Sequence, residues 1–140
     1  MEQRDNILWL LKQAWYFSLT QVNDAVSEHG VSTAQIGMLR QLATEPGLSG
    51  ADLARRLLIS PQGVQLALKE LERRGLVERS RSPSDRRGVI VRLTPDGART
   101  VDAAMADLLD RERALLAELD GGDRDHLAAT LRQLLSPFEA

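Results

Sequence analysis

Two groups of side chains in this sequence have the types and spacing to act on another molecule. Gln62, Gln65, Leu66 and Lys69 recur at i, i+3, i+4 and i+7, the repeat that gathers side chains on one face of a helix. An amide can pair bidentately with adenine, an apolar group can meet a thymine methyl, and a lysine can reach guanine or phosphate. The second group is Arg79, Arg81, Arg86 and Arg87, four arginines within nine residues, opposed there only by Asp85. An arginine can enter a narrow minor groove, where negative potential is enhanced. Asp85 is assigned a different role, orienting an arginine, here Arg87, through a charge-assisted bond. Taken alone, each group matches an ordinary polar helix face or a hydrophilic loop tip. Their surroundings in the chain give them weight.

The first group lies on a helix with both ends written in. Ser60 can cap the first amides, and Pro61 suits the first helical position, where no donor is needed. Gly75 stands where a left-handed residue ends a helix, with Arg73 and Arg74 in the favourable last turn. Val64, Ala67, Leu68 and Leu71 give the inward face. Upstream, Ser32-Thr-Ala-Gln35 is a capping box followed by Ile36, Leu39 and Leu42, and Glu45-Pro-Gly-Leu48 stops that helix. Ser49-Gly-Ala-Asp52 opens a short helix with Leu53, Ala54 and Leu57 inward. Leu58-Ile59 is the turn. Two helices joined so tightly, the second with a polar outer face, are what a helix-turn-helix requires.

The arginines belong to a hairpin. Leu76-Val-Glu-Arg79 reads as a short strand, Ser80 to Gly88 as a turn-rich tip, and Val89-Ile-Val-Arg-Leu93 as a second strand. Thr94-Pro-Asp-Gly97 then starts a long helix with Ala98, Val101, Met105, Leu108, Leu109, Leu115, Leu116 and Leu119 along one stripe. Gly121-Gly122 is expected to break it, with Asp123 or Asp125 opening a last helix that carries Leu127, Leu131, Leu134, Leu135 and Phe138. At the other end, Asp5 or Asn6 can cap a helix with a wide apolar stripe from Ile7 to Val26, ending near His29-Gly30. Trp9, Trp15, Tyr16 and Phe17 place four of the five aromatics there. Packing is the ordinary explanation for such a cluster, and a wall for an aromatic ligand is the sharper one. Both terminal helices carry more apolar face than the middle can cover. A two-fold dimer would resolve this and would present two reading helices to a palindromic site.

Bulk composition narrows the classes. The 140 residues suit one domain, and 43% hydrophobic with 27% charged residues is a globular balance. There is no cysteine, which excludes a disulfide framework, a thiolate metal site and a thiol redox sensor. His29 and His126 lie without ligand spacing. No apolar run approaches a membrane span, and the N-terminus lacks a signal sequence, so a cytoplasmic protein with no membrane partner is expected. The net charge of −2 conceals an asymmetry. Residues 49–100 hold 11 basic and 6 acidic side chains, a net +5, while the remainder is −7. A basic middle between acidic ends aims one region at phosphates. Carboxylates are plentiful, but nothing pairs them with a nucleophile, a phosphate-cradling loop or a metal set. No enzyme and no cofactor is therefore expected.

At Leu71-Glu-Arg-Arg-Gly-Leu-Val-Glu-Arg-Ser80, leading into Asp85-Arg-Arg-Gly-Val-Ile-Val-Arg-Leu-Thr-Pro-Asp-Gly97, the chain resembles the MarR family of bacterial winged-helix regulators. The resemblance covers nearly the whole length. It implies a mainly α fold with a small β-hairpin wing, a winged helix-turn-helix core at 31–96, and dimerisation helices at 5–30 and 95–138. It implies a homodimer that binds double-stranded DNA at a palindromic operator, commonly a repressor released by a small aromatic or anionic effector. Ser60, Gln62, Gly63, Gln65, Leu66 and Lys69 fall on the reading helix, and Arg81, Arg86 and Arg87 on the wing. An effector site between the dimer helices and the core makes Trp15 and His29 candidate ligand residues. Gln65 and Leu66 stand where the family often has threonine and arginine, and Gly63 replaces a larger residue, so operator specificity does not carry over. The alternative is a winged-helix module that docks a protein through Leu66 and its neighbours, without sequence-specific DNA binding.

Overall fold

The computed structural model describes residues 6–81 and 88–138. The expected Asp85, Arg86 and Arg87 positions, and the hairpin tip around them, lie outside the described residues. The elements run α1 (Ile7–Ser27), α2 (Thr33–Thr44), α3 (Gly50–Leu57), α4 (Pro61–Arg73), β1 (Val77–Arg81), β2 (Val89–Leu93), α5 (Pro95–Leu115) and α6 (Gly121–Leu135). The 3-10 turn Ser136–Phe138 follows.

Local chemistry accounts for most boundaries. Asn6 caps α1 by accepting from the Trp9 amide. Ser32 with Gln35, and Ser49 with Asp52, form reciprocal capping boxes at α2 and α3. Ser60 and Thr94 cap α4 and α5, each followed by proline at the first helical position. Gly75 takes φ +73° and ends α4 as a left-handed residue. Leu58, between α3 and α4, is also left-handed, at φ +54°, a conformation costing a non-glycine residue roughly 1–2 kcal/mol.

The core is aliphatic, as the scarcity of aromatics requires. Val26, Met38, Leu39, Leu53, Val64, Leu68, Leu71 and Val91 are fully buried and join α1 to α4 with β2. Truncating any of the leucines to alanine removes about 2–5 kcal/mol. β1 and β2 pair antiparallel from Val77↔Leu93 to Arg81↔Val89. The other edge of β2 is tied to the segment before α3 by the Ser49↔Ile90 bridge and a 2.9 Å bond from the Val91 amide to the Leu48 carbonyl. The wing is thus stitched to the helix-turn-helix at its base. Gly97 makes a close approach: a Cβ there would sit 2.1 Å from the Leu76 carbonyl oxygen. Its absence lets α5 lie directly on the end of α4 and the start of β1.

Three expectations are corrected. β1 begins at Val77 and reaches Arg81, because the register to β2 continues past Arg79. α5 ends at Leu115 rather than near Leu119, and Gly121-Gly122 opens α6 instead of breaking a helix. Asp120 is the cap, accepting from the Asp123 amide at 2.7 Å. Glycine is tolerated at the first two helical positions, whose amides have no intrahelical acceptor. The apolar stripe of α1 is also only partly used. Ala25 and Val26 are buried, Leu11, Leu19 and Val22 are half-buried, and Ile7 to Leu10 with Trp15, Tyr16 and Phe17 are exposed. No residue of α6 is buried.

Candidate nucleic-acid interface

The outer face of α4 carries Gln62, Gln65, Leu66 and Lys69, all exposed, with Leu66 at 74%. Leu66 stands beside a shallow cleft lined by Ser32, Gln35 and Ala67. Ser60 and Gly63 have a local structural task. The Ser60 hydroxyl accepts from the Gly63 amide at 3.0 Å, and a Cβ on Gly63 would meet Ile59 Cγ2 and Ser60 Oγ at 3.1 Å each. The glycine is what lets the cap and Ile59 close over the start of the helix.

The charges on this face are partly paired. Glu70 follows Lys69 in α4, and Arg73 holds it in a two-point pair, Nε to Oε2 at 3.0 Å and Nη2 to Oε1 at 2.7 Å. Those hydrogen bonds hold the Glu70 carboxyl below its ordinary value and raise that of Arg73. The acid is thereby charge-compensated, while Lys69 has no ion-pair partner among the described residues. At the tip end of the hairpin strands, Arg81 is exposed at the end of β1, across from Val89.

Arg79 is placed otherwise. Its Nη1 donates to Gln65 Oε1 at 3.0 Å. Its Nε lies 3.1 Å from Glu72 Oε2, a Coulombic contact off the N–H axis, since that N–H is without a directed acceptor. Of the four arginines grouped by the sequence, this one lashes β1 to α4. The C-terminal end of α4 is fastened separately: Arg74 Nη1 donates to the Gly30 carbonyl, and Gly30 is left-handed at φ +73°.

Trp15 and His29 are not brought together. They stand about 20 Å apart along α1 and its extension, at 1.5 Å per residue, and Trp15 is 61% exposed. His29 Nε2 instead meets Asp107 Oδ2 of α5. Beside that pair a cleft between α1 and α5 is lined by Asp24, Glu28, Asp107, Asp110 and Arg111. The roles of Arg74, Glu72 and Asp107 had no sequence signal, because each depends on a partner in a different element. Among the described residues no group of three or more potential ligands could hold a metal ion, and no helix is long and apolar enough to cross a membrane.

Comparison with known proteins places this geometry. The CouR transcriptional repressor bound to a 23-mer DNA duplex superposes with a TM-score of 0.86 at 31% identity, over 94% of this chain and 93% of that one. CouR from Rhodococcus jostii RHA1 bound to p-coumaroyl-CoA gives 0.86 at 25% identity, over 96% and 94%. An HTH-type transcriptional repressor of Mycobacterium tuberculosis is 32% identical over 114 residues, 81% of this chain and 82% of that protein. The match to a longer Thauera aromatica protein, named for regulation of the hcr operon, is 30% identical and spans 63% of that protein's length. The MarR family model matches residues 29–88, the helix-turn-helix and the first part of the wing. The winged helix-turn-helix framed by two terminal helical arms, the relatives and the family model agree: this chain belongs to the MarR family of transcriptional regulators.

Proposed function

We propose that the chain is a homodimeric, sequence-specific repressor that works on DNA in the cytoplasm and releases its operator when a small ligand binds. The observation that carries this is the outer face of α4, where Gln62, Leu66 and Lys69 are presented while Glu70 is neutralised by Arg73. Amide, apolar and cationic groups at helical spacing supply base readout. Arg81, with Arg86 and Arg87 beyond it, supplies sequence-independent grip on the backbone and minor groove. Dimerisation is supported by the uncovered apolar faces of α1 and α6, with Leu8 78%, Trp15 61% and Leu134 52% exposed. An isologous interface built from them gives the two-fold symmetry of a palindromic operator.

CouR binds p-coumaroyl-CoA, and an effector of this chain would occupy the cleft between α1 and α5. Four carboxylates, Asp24, Glu28, Asp107 and Asp110, line it against Arg111, which itself donates to Gln21, so the lining favours a neutral aromatic effector over an anionic one. Binding there would favour a spacing of the two α4 helices that no longer matches successive major grooves.

The test is fluorescence anisotropy on duplex DNA from upstream of the gene and on a scrambled duplex, at low and near-physiological salt. Saturable binding that survives the higher salt only on the upstream duplex is expected. The absence of binding at both salts would overturn the reading and leave Leu66 as the centre of a protein-docking face.

A further inference from the structure

A glutamine on a reading helix has two complementary groups to offer, and in this protein one of them is already engaged. The guanidinium of Arg79 has five donors and no acceptor, so the amide atom facing it must be the oxygen. Arg79 Nη1 donates to Gln65 Oε1 at 3.0 Å. Arg79 is itself held by Glu72, seven residues after Gln65 and on the same face of α4, at 3.1 Å. The other end of the amide lies against the start of α3. Gln65 Nε2 occupies the space a side chain on Gly50 would fill, 2.7 Å from the position of its Cβ. Gly50 is the first residue of α3 and is not among the positive-φ glycines, Gly30, Gly47 and Gly75. Its backbone therefore does not require glycine, and alanine would favour the helix. What a methyl there would displace is the far end of the Gln65 side chain.

We propose that Arg79 and Gly50 lock the Gln65 amide as a hydrogen-bond donor, so that Gln65 selects a keto base, guanine or thymine, on the strand it contacts. The proposal rests on the operator-binding reading above and refines it. A free glutamine takes adenine bidentately, accepting from N6 and donating to N7. Here one lone pair of Oε1 already accepts from a cation, and the other would have to take adenine N6–H beside that guanidinium, while the Nε2 hydrogens have no protein acceptor among the described residues. Guanine offers two acceptors in the major groove, O6 and N7, and thymine offers O4; adenine offers N7 alone with its N6 donor beside it, and cytosine N4 is a donor, so a donor-only amide keeps at most one of its two bonds to adenine. Rotating the amide to serve adenine would put its NH2 group against the guanidinium, donor against donor. Arg79 and Gly50 are thus positioning residues: they set which base Gln65 reads without touching it.

The experiment selects binding sequences for the full-length protein from duplexes randomised over a half-site. Affinities are then measured on the four duplexes that differ at the base pair where Gln65→Ala loses discrimination. The native protein should favour guanine or thymine over adenine and cytosine by about tenfold. Arg79→Met should bring adenine to within about threefold, and Arg79→Lys, which keeps a donor-only cation, should retain more of the preference. Gly50→Ala displaces only the flexible amide, so its melting temperature should hold or rise while the preference falls. A glycine with a purely structural role would not separate those two readouts. If Arg79→Met fails to fold, Gly50→Ala decides. Native preference for adenine, no position sensitive to Gln65→Ala, or an unchanged preference in Gly50→Ala would overturn the lock while leaving operator binding intact. Failure of any sequence to enrich would overturn operator binding, and the lock with it.

Discussion

His29 Nε2 and Asp107 Oδ2 lie 2.5 Å apart, joining the turn after α1 to the middle of α5 across 78 residues of sequence. The imidazole is sheltered and the carboxylate half-exposed, so solvent screens part of the attraction. Neighbouring Gly30 holds Arg74 at the end of α4, so the pair sits one residue from the fastening of the reading helix. A double-mutant cycle with His29→Ala and Asp107→Ala should return a coupling of about 0.5–1 kcal/mol in denaturant unfolding. Additive single-mutant effects would show that the contact has no energetic value.

Acid should weaken the start of α3. Asp52 accepts from the Ser49 amide at 2.9 Å, and this bond, reinforced by the Ser49 hydroxyl and by Arg55 and Arg56, holds its carboxyl below its ordinary value of 3.8. A depressed carboxylate contributes stability that is fully present above the unfolded-state value and is lost as pH falls through the folded one. Asp52→Asn should cost about 1 kcal/mol near neutral pH and flatten the dependence of unfolding free energy on pH below about 4. A variant whose stability falls with acid as steeply as the native protein's would place the linkage elsewhere.

Gly97→Ala should be far more damaging than a helical glycine-to-alanine change ordinarily is. The added methyl would fall 2.1 Å from the Leu76 carbonyl oxygen and 2.8 Å from Leu93 Cδ1, so backbone must move. Overpacking of this kind costs about 1–3 kcal/mol, against the roughly 1 kcal/mol that alanine gains in helix propensity. Thermal unfolding by circular dichroism reads the net effect. A raised melting temperature would mean that α5 can shift freely off the end of α4.

Neutralising the wing should act on every DNA sequence alike. Arg87→Ala is expected to weaken specific and scrambled duplexes in parallel and to lower the slope of log K against log salt by about 1. Loss confined to the operator would make Arg87 a base-reading residue.

Charging the uncovered apolar faces should separate the two copies. Leu8→Asp and Leu134→Asp replace side chains that are 78% and 52% exposed in the single chain, so the monomer fold loses little. Sedimentation equilibrium should show dissociation strengthened at least about tenfold, the equivalent of 1.4 kcal/mol, with helix content retained. A native chain that sediments as a monomer would remove the dimer from the mechanism.

Short-range chemistry made much of this structure readable in advance. Ser32, Ser49, Ser60, Thr94 and Gly75 end helices through bonds to residues three or four positions away, so their signals are local. β2 runs from Val89 to Leu93, as its β-branched residues indicate. Gly121-Gly122 misled because glycine breaks helix interiors but is harmless in the first turn, and only the Asp120 cap decides which applies. The interface was legible in its face but not in its wiring. Gln65 and Arg79 were each visible as DNA-directed groups. Their bond to one another, across 14 residues and two elements, follows from how β1 crosses α4, and no pattern in the sequence encodes that crossing.

Pairing through the bare flanks of α1 and α6 would tie the lifetime of this protein to its abundance. A chain that pairs through them gains stability by mass action, so the folded fraction rises with the number of copies present. An unpaired chain displays Ile7, Leu8, Trp15, Leu134 and Phe138, the kind of surface by which chaperones and proteases triage incompletely folded chains. On that account scarce copies would be removed fastest and plentiful copies would persist. A gene under such control would have a threshold in repressor number, steeper than the affinity of one dimer for one operator would give.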